Sequence, residues 1–268
     1  ILEEPISPSE QTAEHWRKMR IRIAALLLLV IVCIGCIKSI ADEKGFYDPH
    51  FHLQNIGSSA QSLLTENVFK SLRIEVQYMP GAAPTEAALD ELKDFLKKHL
   101  HKPGGITLTQ KAIPPVEDSI FSLKDIMAIE DRYRTAFTTD HEIAVYVLFV
   151  AGSYSKPEML GYAYRNTSAV LFSSPIKENS DKFKKPARTY LEARTLQHEF
   201  GHLLGLVNIG TAAQEDHHDA DHGKHCTNKR CLMYYLTDTE DYPSVLIRQK
   251  SPELDKNCLK DLRANGGK

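Results

Sequence analysis

Residues 198–205 read HEFGHLLG. On a helix, His198 and His202 are four apart, project from one face and can reach a single ion, with Glu199 next to the first of them. Zn²⁺ held by three protein ligands keeps a fourth position for water and lowers the pKa of that water toward ~7. Glu199 beside it is placed to act as general base, and later as general acid toward a leaving amine. Leu196, Leu203, Leu204 and Leu206 give the segment an apolar surface by which a core can bury it. A third ligand is required. Three residues beyond Gly205 stands Asn208, whose amide oxygen is a poor substitute for imidazole at zinc. The chain then continues NIGTAAQEDHHDADHGKHCTNKRCLMYY, which offers His217, His218, His222 and His225, followed by Cys226 and Cys231.

The elements that must hold these residues are readable upstream. Leu72, Ile74, Val76 and Tyr78 alternate with Arg73, Glu75 and Gln77, which predicts a half-buried strand. Pro84-Thr85 opens a helix with the stripe Leu89, Leu92, Phe95, Leu96 and Leu100, stopped by Pro103-Gly104-Gly105. Residues 106–113 read as a second strand. Ser122 and Asp125 form a capping-box pattern for a helix carrying Ile126, Ile129, Tyr133 and Phe137. The unbroken apolar run 143–150 suits a central strand covered on both faces. Short strands at 160–164 and 169–172 precede a long helix from after Pro186 to about Leu206. The order β-α-β-α-β-β-β-α predicts an α/β (α+β) domain with a mixed sheet. A last helix, opened by Ser251-Pro252 and ended by Asn265-Gly266, carries Leu254, Cys258 and Leu262, and Cys258 is expected to pack in the core.

The combination resembles the metzincin zinc peptidases. HExxHxxG is their active-site pattern, and His225-Cys226, four residues, Cys231, one residue, Met233 matches the H-C-x4-C-x-M segment of archaemetzincins. His225 stands 17 positions beyond Asn208, so the resemblance implies a 17-residue insertion. It is close from the active helix to Met233 and loose upstream. It implies a metzincin-like mixed twisted sheet with a long active-site helix and a C-terminal helix. His198, His202 and His225 fall on the zinc ligands, Glu199 on the base and Met233 on the Met-turn. Tyr235 falls where some metzincins place a tyrosine that contacts zinc or the oxyanion. Residues 160–164 fall on the cleft-side edge strand that pairs with a peptide substrate. His217, His218 and His222 remain alternative ligands. The family's second, four-cysteine zinc site cannot form here, since Cys258 alone follows. Cys226 and Cys231 are then open to a disulfide, or to a second ion shared with histidines of the insertion.

Length and composition fit this reading. The 268 residues carry a net charge of −2, with 42 % hydrophobic and 25 % charged residues; this is ordinary for a globular chain and lacks the basic excess of a nucleic-acid binder. Arg20 and Arg22 precede the apolar run 23–37, short for a bilayer span and suited to a signal-peptide core. Cys33-Ile34-Gly35-Cys36 resembles a lipobox with Cys36 as the acylated residue. The expected organisation is an over-extended start at 1–18, a signal or N-terminal anchor at 19–38, a linker at 39–67 and a zinc peptidase domain at 68–268. This places the chain in a bacterial envelope or outside the cell, acting on peptide or protein substrates, with membrane attachment through the N-terminal lipid or anchor. Two other readings compete. One is a catalytically silent envelope domain that binds metal or a partner; the other is a zinc hydrolase of non-peptide amides.

Overall fold

The computed structural model describes residues 48–116, 118–156, 158–180, 187–238 and 252–268, with residue 19. The expected signal core at 23–37, Cys36 and the start at 1–18 lie outside the described residues. Among the described residues, no helix is long and apolar enough to cross a membrane.

A five-stranded sheet is built from β1 (Ser71–Tyr78), β2 (Ile106–Ala112), β4 (Glu142–Val150), β6 (Gly161–Arg165) and β7 (Ser168–Phe172), in the order β2-β1-β4-β7-β6. The first four in that order run parallel, and β6 lies antiparallel to β7 at the edge. The α/β class read from the element order is therefore what the chain adopts. The apolar run 143–150 is the central strand, buried along its length, because parallel strands with helical crossovers are covered on both faces. Two-residue strands β3 (Ile120–Phe121) and β5 (Ser153–Tyr154) pair beside it.

One face of β1 departs from expectation. Glu75 and Gln77 are buried rather than half-exposed, because the end of the helix Leu123–Tyr133 and the residues just beyond it cover them. Helices α1 (Ala60–Leu64), α2 (Glu86–His99), α3 (Leu123–Tyr133), α4 (Ser173–Glu178), α5 (Arg188–Leu203) and α6 (Lys256–Ala264) complete the set. Glu75 accepts hydrogen bonds from the Thr135 and Ala136 amides beyond α3 at 2.9 and 2.7 Å, so its charge is satisfied where it is buried. Ser122 and Asp125 form the expected capping box.

Residues read as a tether also join the core. Residues 47–268 form one compact unit, and Leu63 and Leu64 of α1 are fully buried. The Lys102 ammonium donates to the carbonyls of Ser62, Thr65 and Phe69 at 2.8, 2.5 and 2.6 Å, satisfying acceptors at the end of α1 and in the loop after it. The Asn166 amide holds Phe51 O and Ser59 Oγ at 2.8 and 2.7 Å. The C-terminal helix begins at Lys256, later than Ser251-Pro252 suggests, because Asp255 caps it by accepting from Asn257 N and Cys258 N.

Burial holds His52 and His99 neutral, each pushed down to about 4. Unfolding restores their ordinary affinity for protons, so the unfolded chain binds more protons between pH ~6.5 and ~4. Stability is therefore expected to fall as pH drops through that window. Denaturant midpoints measured across it should change less steeply in His99→Gln than in the parent.

Candidate metal centre

Helix α5 is buried on all sides: every residue from Tyr190 to Leu203 lies inside. Its first turn is pinned by Glu192, which pairs with Arg188 at 2.7 Å and accepts from Thr85 N and Oγ1, both at 2.8 Å. Its last turn gives way to Gly205 at φ 75°, a left-handed position suited to glycine. The chain turns there as HExxHxxG implies. Asn208 is exposed beyond the turn.

His198 and His202 come together with His225, one ring nitrogen of each lying within 4.8 Å of those of the other two. Nε2 of His198 and His202 are 3.1 Å apart. His225 reaches them from β9 (His225–Cys226), which pairs with β8 (His218–Asp219) as a small ribbon in the insertion. His198 Nδ1 lies 2.7 Å from Leu232 O, and His225 Nδ1 lies 2.6 Å from His222 O. A carbonyl accepts only, so both Nδ1 atoms carry a proton, which leaves Nε2 as the ligand atom of each ring. Fixing the tautomer through a backbone carbonyl is how zinc-binding imidazoles are oriented. Burial keeps His198 at about 4 and His202 well below its ordinary value, so both rings are neutral near pH 7. Three imidazoles converging, two of them buried and neutral and His225 half-buried, are a donor set that fits Zn²⁺.

Met233 is fully buried and its thioether packs on the bare backbone of Gly201, where a Cβ would meet Sδ and Cε. Leu232 and Met233 tie the centre together: one carbonyl receives His198, and the other receives Cys226 N at 2.7 Å, next to His225. Glu199 is buried, and its Oε2 accepts from Ala163 N on β6 at 2.7 Å. That amide faces away from β7. Phe172 N donates to Leu160 O, and Tyr162 pairs with Val170, so the alternation of an antiparallel ladder points the backbone groups of Gly161 and Ala163 outward. Arg165 holds the end of β6 through Glu130, at 2.8 Å, which also pairs with Arg134 at 2.7 Å.

The other sequence-derived candidates are placed as follows. His218 is bonded to Gly223 O, and His222 pairs with Asp219 at 2.8 Å, so neither joins the histidine centre. Tyr235 stacks on His222 with ring centroids 3.6 Å apart, and a bond to Tyr234 raises its phenol pKa. His217 lies elsewhere, with Cys226, Asp255 and Cys258. All three cysteines of the C-terminal part are free, and Cys231 contacts Cys258 at 3.6 Å rather than bonding to Cys226. Sequence reasoning placed Cys258 in packing alone and did not bring it to His217 and Cys226. It also passed over Asp261, although a carboxylate three residues after Cys258 shares its helical face.

No protein-family model matches the chain, nor does any curated protein. Among solved structures, the chain is similar to the crystal structure of archaemetzincin from Methanopyrus kandleri, at 16 % identity and TM-score 0.49, over 73 % of this chain and 96 % of that one. It is also similar to metalloproteinase-II from Bacteroides fragilis, at 14 % identity and TM-score 0.43, over 75 % of this chain and 55 % of that one.

Proposed function

We propose that the protein is a zinc-dependent metallopeptidase that cleaves peptide or protein substrates with Glu199 as general base. The observation that carries this is the convergence of His198, His202 and His225 beside a buried carboxylate tied to the outer edge of β6. The three imidazoles would hold the ion. Zinc, when bound, polarises a carbonyl and lowers the pKa of water toward ~7. Glu199 takes the proton of the attacking water and delivers it to the leaving amine. The outward Gly161 N–H and C=O and Ala163 C=O receive an extended substrate as an added strand. Glu199 stands where the backbone of that strand passes. Tyr235 enters as donor to the developing oxyanion. The reading includes export through residues 19–38, with Cys36 as the site of lipid attachment.

The test is hydrolysis of an unstructured protein and of mixed peptide libraries by the zinc-loaded chain. Cleavage that is lost on chelation and restored by Zn²⁺ supports the reading; a zinc-loaded chain that cleaves neither sinks it.

Gly161 provides a finer check. A Cβ there would lie 2.5 Å from Thr195 Cγ2 and 2.9 Å from Glu199 Oε1, so Gly161→Ala must displace the base. Turnover is expected to fall about 100-fold, the order expected for a displacement of about 1 Å. Zinc content should stay at the parent level, as measured by atomic absorption.

A further inference from the structure

Two ties fix the insertion to the rest of the domain. Lys224 Nζ donates to Asn208 O at 3.2 Å, and His217 Nε2 is bound to Asp261 Oδ2 of α6 at 2.6 Å. Between them β8 and β9 pair, with Asp219 opposite His225. A single helical turn, Ala220–His222, and Gly223 at φ 78° carry the chain from one strand to the other. Asp219 organises that turn: its Oδ1 accepts from Asp221 N at 3.2 Å and its Oδ2 from His222 Nδ1 at 2.8 Å. The His222 ring is thereby fixed from within its own loop.

His222 then meets the histidine centre through two different groups. Its carbonyl accepts from His225 Nδ1 at 2.6 Å. Its ring lies flat on Tyr235, with centroids 3.6 Å apart and planes 6° from parallel. Two free aromatic rings prefer an offset or an edge-to-face arrangement over such a full-face stack. The loop, through Asp219, imposes it. Tyr234 lies against the same phenol ring with centroids 4.7 Å apart, so Tyr235 is held by ring contacts from both the insertion and its own chain neighbour. Tyr235 also follows Met233 by two positions, and the Met233 carbonyl receives Cys226 N beside His225 at 2.7 Å.

We propose that His222 is a positioning residue: its ring holds the Tyr235 phenol at the histidine centre, while its carbonyl holds the third histidine. The insertion thus completes the site. Because the two roles use a side chain and a backbone atom, a side-chain substitution separates them. The catalytic consequence rests on reading Tyr235 as the oxyanion donor; the positioning itself does not.

The full chain is compared with His222→Ala, His222→Phe and Tyr235→Phe by peptide hydrolysis, by chelator competition for zinc, and by fluorine NMR after labelling with meta-fluorotyrosine. Tyr235→Phe identifies the Tyr235 resonance and is expected to lose about 100-fold in kcat, as for one missing oxyanion donor. His222→Ala should lose at least about 10-fold in kcat with KM little changed, since the phenol acts only in the transition state. Its zinc affinity should match the parent's, because the backbone carbonyl is untouched. His222→Phe keeps a flat ring and should keep kcat near the parent's. In the Tyr235→Phe background, His222→Ala should add no further loss. Adding Zn²⁺ should shift the Tyr235 resonance in the parent and in His222→Phe, and leave it in place in His222→Ala.

Zinc affinity falling in step with kcat in His222→Ala would make the role merely structural and overturn the proposal. A Tyr235 resonance that answers zinc equally in the parent and in His222→Ala overturns it too, as do fully additive losses in the double variant. A parent that hydrolyses nothing sinks the peptidase reading alone, and the resonance then decides the positioning.

Discussion

Glu199→Gln is expected to keep its full zinc content and lose about 10³-fold in hydrolysis, within the range that a positioned general base contributes. The substitution is nearly isosteric, and an amide oxygen still accepts from Ala163 N, which now bonds Glu199 Oε2 at 2.7 Å. The imidazoles are untouched, so only the proton acceptor is removed. Metal content and turnover measured on the same preparation separate the two effects. A variant as active as the parent would place the base elsewhere. Equal inactivity of parent and variant would favour a silent metal-binding domain, the competing reading of this sequence.

His225→Ala carries the second large effect. Its ring lies with centroids 5.3 Å from His198 and 5.2 Å from His202, and removing it leaves two imidazoles. Loss of an outer partner of a zinc ligand already costs about 10–100-fold in affinity, so loss of the ligand itself should exceed about 100-fold. His218→Ala should leave that affinity within a few-fold of the parent, since His218 is engaged with Gly223 O inside its own loop. Competition with a chromophoric chelator reads both variants. The reverse ranking would mean that the insertion, and not β9, supplies the third ligand.

The parts of the fold that repeat a period were legible. Amphipathic α2, the capping box of α3 and the continuous run of β4 announced themselves through local pattern, and so did the two histidines of α5. What stayed hidden depends on contacts between distant residues. Glu75 and Gln77 look solvent-facing because their partners lie some 60 positions away, beyond α3. The segment carrying α1 looks like a tether because Lys102, which satisfies its carbonyls, lies up to 40 positions further on. Choosing His225 among four histidines drew on the motif that follows it; spacing alone left the choice open. The sequence left Cys226 and Cys231 open to a site shared with histidines of the insertion, but the choice of His217 and the approach of Cys258 could not be read, because β8, β9 and α6 meet only after the chain has turned back on itself.

The two borders of the sheet have opposite characters, and this bears on how the protein behaves when concentrated. Along β2, Thr107, Thr109, Gln110 and Lys111 are exposed, a polar margin carrying a lysine, of the kind that discourages a second copy from docking and seeding fibrils. At the other border, β6 is five residues long, with a register irregularity between Ala163 and Arg165. On the proposed reading it receives extended substrates, while being too short and too irregular to template its own kind. Polymerisation is thus resisted by charge on one side and by brevity on the other.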